Sequence, residues 1–260
     1  MPNPHGFPIW YELLSSDADA SKAFYQDVIG WTVHAADPTA GAMDYRMIDT
    51  GQNTFVGGLM QLTDDMKAGG AKPTWLFYLG VDDVDAAVGA IEAKGGGVLM
   101  PAFDLPGVGR MAFVHDPQGN PFYVMRGASE DSSTAYDRTA LGKCNWNELA
   151  TSDHAAGNAF YAEVFGWSYP DKMTMPGDMG DYTFVTVGDT TIGATMRAGG
   201  DSPAGWQFYF RAPDIEAAAQ KVTAGGGTVH AGPMEVPGGD RIIVASDPHG
   251  VRFGVVGPGK

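Results

Sequence analysis

The chain is 260 residues long, which allows one or two domains and leaves enough chain for a sizeable core either way. Lys and Arg number 16 against 31 Asp and Glu, a formal net charge of −15 that argues against nucleic acid or an anionic membrane surface as the main partner. With 44% hydrophobic residues the chain is expected to fold, and its single cysteine, Cys144, allows neither an internal disulfide nor a cysteine cluster for zinc, which predicts a cytoplasmic protein. The first eight residues carry no Lys or Arg and no apolar run, and nowhere do eighteen apolar residues follow one another, so neither a secretory leader nor a membrane span is predicted.

In chain order, a strand at Ile9 to Ser15 leads to Asp17 and a helix over Ala18 to Ile29, with Ala23, Phe24 and Val28 on its apolar face. Extended runs follow at Tyr45 to Ile48 and Val56 to Met60. A second strand and helix follow, at Thr74 to Gly80 and, after Asp83, at Val84 to Ala93, with extended runs at Arg110 to Val114 and Phe122 to Met125. The polar stretch Gly127 to Lys143 lacks apolar periodicity and predicts a linker. Beyond it the pattern returns: a strand at Asn145 to Thr151, a helix over Ala155 to Phe165 with Ala159, Phe160 and Val164, a strand at Trp206 to Ala212, and a helix over Ile215 to Ala224. Asp17, Asp83, Asp153 and Asp214 are placed to cap these helices, and Gly30, Gly95, Gly166 and Gly225 to end them in the left-handed conformation.

The return is a repeat. Trp10, Glu12, Leu13, Asp17, Phe24, Tyr25, Gly30 and Trp31 recur 136 residues later as Trp146, Glu148, Leu149, Asp153, Phe160, Tyr161, Gly166 and Trp167. Trp75, Phe77, Tyr78, Asp83, Arg110, Asp116 and Phe122 recur 131 residues later as Trp206, Phe208, Tyr209, Asp214, Arg241, Asp247 and Phe253. Two series of constant spacing establish a tandem duplication, and each copy splits again into two quarters of strand, helix and further strands.

The helix segments AFYQDVIGW and AFYAEVFGW, with the strand turns HDPQGNPFYV and SDPHGVRFGV, resemble the vicinal oxygen chelate superfamily of glyoxalase I, extradiol dioxygenases, and fosfomycin and bleomycin resistance proteins. The resemblance implies an α+β fold of two tandem glyoxalase-like domains, at 6–126 and 142–257 around a linker at 127–141, each of two βαβββ modules. Their strands would curl into a mixed sheet around a cleft, with helices on the convex side. It also implies that metal-using members take His, Glu or Gln ligands from the first and last strand of each module. At the first-strand positions, seven residues before each capping aspartate, stand Trp10, Leu76, Trp146 and Gln207; at the last-strand positions stand Tyr123 and Gly254. Only Gln207 suits a metal. The six histidines, His5, His34, His115, His154, His230 and His249, show no paired spacing on one face, so no metal or other cofactor is predicted, with a divalent metal as the alternative.

Strand alternation then assigns the cleft-facing residues. Trp10, Glu12 and Leu14 fall on one face, grouped with Leu76, Tyr78 and Tyr123; Trp146, Glu148 and Ala150 are grouped with Gln207, Tyr209 and Arg252. Glu12 and Glu148 are the candidate catalytic residues: a carboxylate among aromatics on an apolar strand is expected to lose solvation and suit proton transfer, or else to pair with Arg110 or Arg241. Trp10 and Trp146 either stack a flat ligand or belong to the core. Met43, Met47, Met60 and Met196 edge the same region, and Gly95 to Gly97 and Gly225 to Gly227, which follow helices, read as turns and not as phosphate loops.

The expectation is a small-molecule protein that binds an apolar or aromatic metabolite in metal-free clefts. The alternative is a lyase, isomerase or dioxygenase with Glu12 or Glu148 as general base, and a third reading makes one half purely structural. Fusion of two copies allows a monomeric pseudo-dimer as well as a homodimer. Ligand choice would depend on the loops Asp37 to Asp44 and Pro170 to Asp181, which carry no motif.

Overall fold

The structure, a computed structural model, describes residues 3–36, 43–51, 54–177, 180–200 and 202–259; parts of both motif-free loops, 37–42 and 178–179, lie outside the described residues. The first copy runs β1 (Phe7–Ser15), α1 (Ala18–Ile29), β2 (Thr32–Val33), β3 (Tyr45–Asp49), β4 (Phe55–Gln61), α2 (Asp64–Ala68), β5 (Thr74–Gly80), α3 (Val84–Ala93), β6 (Gly97–Leu105), β7 (Gly109–His115) and β8 (Pro121–Gly127). The second runs β9 (Cys144–Thr151), α4 (His154–Phe165), β10 (Lys172–Thr174), β11 (Asp181–Val187), β12 (Thr190–Arg197), β13 (Gly205–Arg211), α5 (Ile215–Ala224), β14 (Thr228–Glu235), β15 (Asp240–Ser246) and β16 (Arg252–Pro258). The strands form two eight-stranded mixed sheets, one per copy. The fold is α+β.

Each quarter follows one plan. In the first, β4 returns beside β1 in parallel while β3 pairs antiparallel with β4, a geometry that the crossover through α1 makes possible. The same holds for β5 with β8, β9 with β12 and β13 with β16. Every long helix starts as the sequence predicts: Asp17, Asp83, Asp153 and Asp214 each accept a hydrogen bond from the backbone N–H three residues on, at 2.9–3.0 Å. Gly30 and Gly166 end α1 and α4 in the left-handed conformation.

Three details differ. Ala23 and Ala159 are exposed, and the buried faces of α1 and α4 are carried by Phe24, Tyr25 and Val28 and by Phe160, Tyr161 and Val164. At the end of α5 the left-handed residue is Gly226, one position after the expected Gly225. Gly225 is needed for packing instead, since a Cβ there would stand 2.9 Å from Phe24. The edge strands β6 and β14 went unpredicted.

By contact density the chain divides into two compact units, and each draws on both copies. One contains the chain up to Ile9, Leu76–Ser133 and Trp146–Trp206; the other contains Trp10–Trp75, Thr134–Asn145 and the chain from Gln207. In the first unit the rings of Phe77 and Trp206 lie 4.6 Å apart and Phe122 packs between Tyr161 and Phe165. Tyr161 donates to Asp116 at 3.1 Å. In the second, Phe210 meets Trp31 and Trp75 at 4.8 and 4.9 Å and Phe253 meets Phe24 and Tyr25. There Trp75 donates to the Tyr25 hydroxyl, which donates to Asp247. A fully buried aromatic of this kind contributes roughly 1.5–3 kcal/mol by burial alone, so both cores are built mainly from ring contacts between copies.

The polar stretch between the copies is held down as well. Ala135 and Tyr136 are buried, and Lys143 donates to the Phe55 carbonyl at 2.9 Å. Among the described residues no helix is long and apolar enough to cross a membrane.

Candidate functional site

In the first unit, β9 turns Asn147, Leu149 and Thr151 into the core and leaves Trp146 and Glu148 half-buried on the opposite face. Strand β12 lies beside it with Ala194 paired to Glu148 and Met196 to Ala150, and β11 adds Phe184 opposite Ala194. Tyr182 completes the group. Its hydroxyl donates to Glu148 Oε2 at 2.7 Å and accepts from Trp146 Nε1 at 2.7 Å. Phe184 stands edge-on to both Trp146 and Tyr182, with centroids 6.0 and 5.9 Å away. A carboxyl group oriented by a phenol is thus set into an aromatic corner.

The second unit holds the repeat of this group. Trp10 and Glu12 come from β1, Gly58 on β4 is paired with Glu12, and Met47 on β3 with Gly58. Trp10 Nε1 donates to the Tyr45 hydroxyl at 2.9 Å. A Cβ on Gly58 would collide with that hydroxyl, so the phenol tip rests in the space where a side chain would stand. Glu12 is only 3% exposed, and Leu14 is buried.

The remaining predicted residues also divide between the units. The expected grouping of Trp10, Glu12 and Leu14 with Leu76, Tyr78 and Tyr123 takes members from both, as does that of Trp146 and Glu148 with Gln207, Tyr209 and Arg252. In the first unit Tyr123 stacks flat on Tyr78 at 4.3 Å and on Phe113 at 4.5 Å, and Leu76, Tyr78 and Tyr123 are all buried. In the second, Gln207 Nε2 donates to the Tyr209 hydroxyl at 2.8 Å, and the Tyr209 ring covers Gly254, where a Cβ would strike it. Arg252 is half-buried on the neighbouring strand β16.

The donor set does not fit a divalent metal. Among Trp10, Leu76, Trp146, Gln207, Tyr123 and Gly254 only Gln207 is of the His, Glu or Gln type, and among the described residues no three His, Cys, Asp or Glu side chains converge. The histidines make local bonds: His5 with the Val164 carbonyl, His34 with Asp49, His115 with the Asp116 carbonyl, His230 with Ser246. His154 contacts Thr195 and Asn158, and burial holds its pKa below the ordinary histidine range. Arg110 binds Asp85 and Asp104, and Arg241 binds Glu216 and the Pro233 carbonyl, so neither is the partner of Glu12 or Glu148 that the sequence suggested. A groove of about 570 Å³ in the second unit, lined by Ala219, Gln220, Thr223, Ala224, Val229, Gly232 and Pro233, has no titratable group with which to do chemistry.

Tyr45 and Tyr182 are the members that strand alternation on β1 and β9 alone did not find. Their signal was present, since they are repeated tyrosines 137 positions apart, but it lay outside the two series of constant spacing.

Comparison with known proteins places these features among relatives. Residues 9–124 and 142–255 match the model of the Glyoxalase/Bleomycin resistance protein/Dioxygenase superfamily. The chain is 34% identical over 257 residues to "Putative glyoxylase CFP32" of Mycobacterium tuberculosis, covering 97% of this chain and 95% of that protein. It is 32% identical over 273 residues to "Anthracycline biosynthesis protein DnrV" of Streptomyces peucetius, covering 96% and 93%. Among solved structures, the 2,3-dioxygenase LapB from Pseudomonas sp. KL28 superposes with a TM-score of 0.67 at 14% identity, over 100% of this chain and 94% of that one. The Mn(II)-bound glyoxalase from Novosphingobium aromaticivorans gives 0.66 at 19%, over 98% and 82%. At these identities the structural likeness is one of fold.

Proposed function

The chain belongs to the Glyoxalase/Bleomycin resistance protein/Dioxygenase superfamily, and from that membership we propose that it binds a small, neutral, planar aromatic metabolite bearing a hydroxyl group, without a metal. The observation that carries this reading is the hydrogen-bonded chain Trp146, Tyr182 and Glu148, set beside Phe184 on a half-buried sheet face. Indole and phenyl rings supply flat apolar contact. An ionised carboxylate only accepts hydrogen bonds, so the ligand must bring a donor. A net charge of −15 repels an anionic ligand, which favours a neutral one. A relative named for anthracycline biosynthesis supports an aromatic ligand of that general kind.

A second reading, proton transfer by Glu148 next to a carbonyl in a lyase or isomerase, is favoured by the half-buried place of this carboxyl group beside Trp146 and Phe184, where the Tyr182 hydroxyl orients it. Turnover of a carbonyl substrate that Glu148→Gln abolishes would select it.

Titration calorimetry with 2-naphthol, its methyl ether 2-methoxynaphthalene and naphthalene-2-carboxylate tests the binding reading. The naphthol is expected to bind about tenfold more tightly than the ether, and Glu148→Gln to lose about tenfold, as for one hydrogen bond to a charged group worth roughly 1.5 kcal/mol. Equal affinity for ether and naphthol, or no effect of Glu148→Gln, overturns it. Stoichiometric zinc, nickel, manganese or iron in protein purified without chelator would overturn its metal-free part.

A further inference from the structure

We propose that the two copies have divided their roles, so that the Trp146, Tyr182 and Glu148 face receives the ligand while the Trp10, Tyr45 and Glu12 face is closed by its own tyrosine. The division begins at one strand position. Opposite Glu12 stands Gly58, and the Tyr45 hydroxyl lies down into the space that a side chain would fill. Opposite Glu148 stands Ala194, which carries a methyl group where Gly58 carries none, and the division assigns to that methyl the shallower seat of Tyr182. Burial follows. Glu12 is 3% exposed, whereas Glu148, which accepts from Tyr182, is half-buried.

The other strands have diverged between the copies without bearing on the closure of Glu12, since those that stack Tyr78 on Tyr123 share a unit with Glu148 and those that carry Gln207 and Gly254 share one with Glu12. In the first copy Tyr78, Tyr123 and Phe113 stack into a closed set of three rings. In the second copy Gly254 replaces Tyr123 and the amide of Gln207 replaces Leu76, leaving one ring, Tyr209, over the glycine. At the position next to the glycine or alanine, Met47 of the first copy is replaced by Phe184, which adds a ring at the half-buried face. A flat aromatic ligand therefore finds the rings of Trp146 and Phe184 beside a half-buried acceptor, Glu148.

This division rests on the binding reading for its ligand but not for its geometry, and the test separates the two. In the full chain with ¹³C-labelled glutamate carboxyls, assigned through Glu12→Gln and Glu148→Gln, the neutral relaxation agent gadodiamide is expected to enhance relaxation at Glu148 at least threefold more than at Glu12. Ala194→Gly, which reopens the space beneath Tyr182, is expected to lower the Glu148 enhancement toward that of Glu12. Calorimetry with 2-naphthol is expected to give one site per chain. Equal enhancement at the two carboxyls, no response to Ala194→Gly, or two equivalent sites overturns the division. Failure of 2-naphthol to bind with the relaxation contrast intact overturns the ligand assignment and leaves the closure of Glu12 supported.

Discussion

Tyr25 shows how much one side chain decides. It packs beside Phe24 and against Phe253, accepts from Trp75 and donates to Asp247, joining helix α1 of one copy to a turn of the other. Burial first, and then the charge of Asp247, hold its phenol well above the usual tyrosine pKa of 10.0. The folded state therefore keeps this proton more tightly than the unfolded chain. Its contribution to stability is fully present below pH 10 and is lost as pH rises beyond it. Urea unfolding between pH 8 and 12 is expected to show a decline in stability above pH 10, and Tyr25→Phe to make that decline shallower. Glycines set a second limit at this scale. A Cβ on Gly57 or Gly193 would collide with the backbone carbonyl of Tyr11 or Asn147 on the neighbouring parallel strand. Gly57→Ala and Gly193→Ala are each expected to destabilise by about 3 kcal/mol in denaturant titrations. Gly58→Ala, which meets only the movable end of Tyr45, is expected to lose less. The Trp–x–Glu pairs of β1 and β9 were legible in the sequence because alternation puts both residues on one face. The tyrosine between them was not, because it arrives from a strand two places away in the sheet.

Among the elements, the helices were the most legible, since each is written locally. A capping aspartate, an apolar stripe and a terminal glycine lie within about fifteen residues of one another, and the caps form as expected. Asp17→Ala, Asp83→Ala and Asp153→Ala are each expected to lower stability by about 1 kcal/mol, read as a fall in the thermal midpoint. Strands β6 and β14 were illegible for the opposite reason. They are edge strands exposed for much of their length, they carry Pro101 and Pro233, and their pairing is interrupted by bulges, so no apolar alternation marks them. The run Gly225 to Gly227 was read correctly as a turn. Its second role, making room for Phe24 of the other copy, depends on a residue just over two hundred positions away.

At the scale of the whole molecule, the pairing of quarters governs how the chain holds together. Each compact unit joins a quarter of one copy to a quarter of the other, through Tyr161 and Asp116 in one and Tyr25 and Asp247 in the other. A single copy expressed alone exposes the faces of Phe24, Tyr25, Trp31, Phe77 and Phe122 that its counterpart covers. Residues 1–132 or 133–260 alone are expected to self-associate or precipitate, and the two fragments co-expressed to recover a one-to-one complex by light scattering. Monodisperse, stable monomers of either fragment would show that each copy is self-sufficient.

The sequence by itself determined the duplication, the quarter-by-quarter order of strands and helices, and the helix ends. All of these are local or periodic, and a repeat of constant offset reports them twice. Only the tertiary structure decided which quarter packs on which, that Tyr45 reaches Trp10 and Tyr182 reaches both Trp146 and Glu148, and that Glu12 is buried while Glu148 is half-buried. Quarters so alike in pattern present nearly equivalent apolar faces, so pattern alone cannot choose between partners within a copy and partners across copies. The choice is made by contacts far apart in sequence, a phenol on an aspartate and a phenylalanine over a glycine.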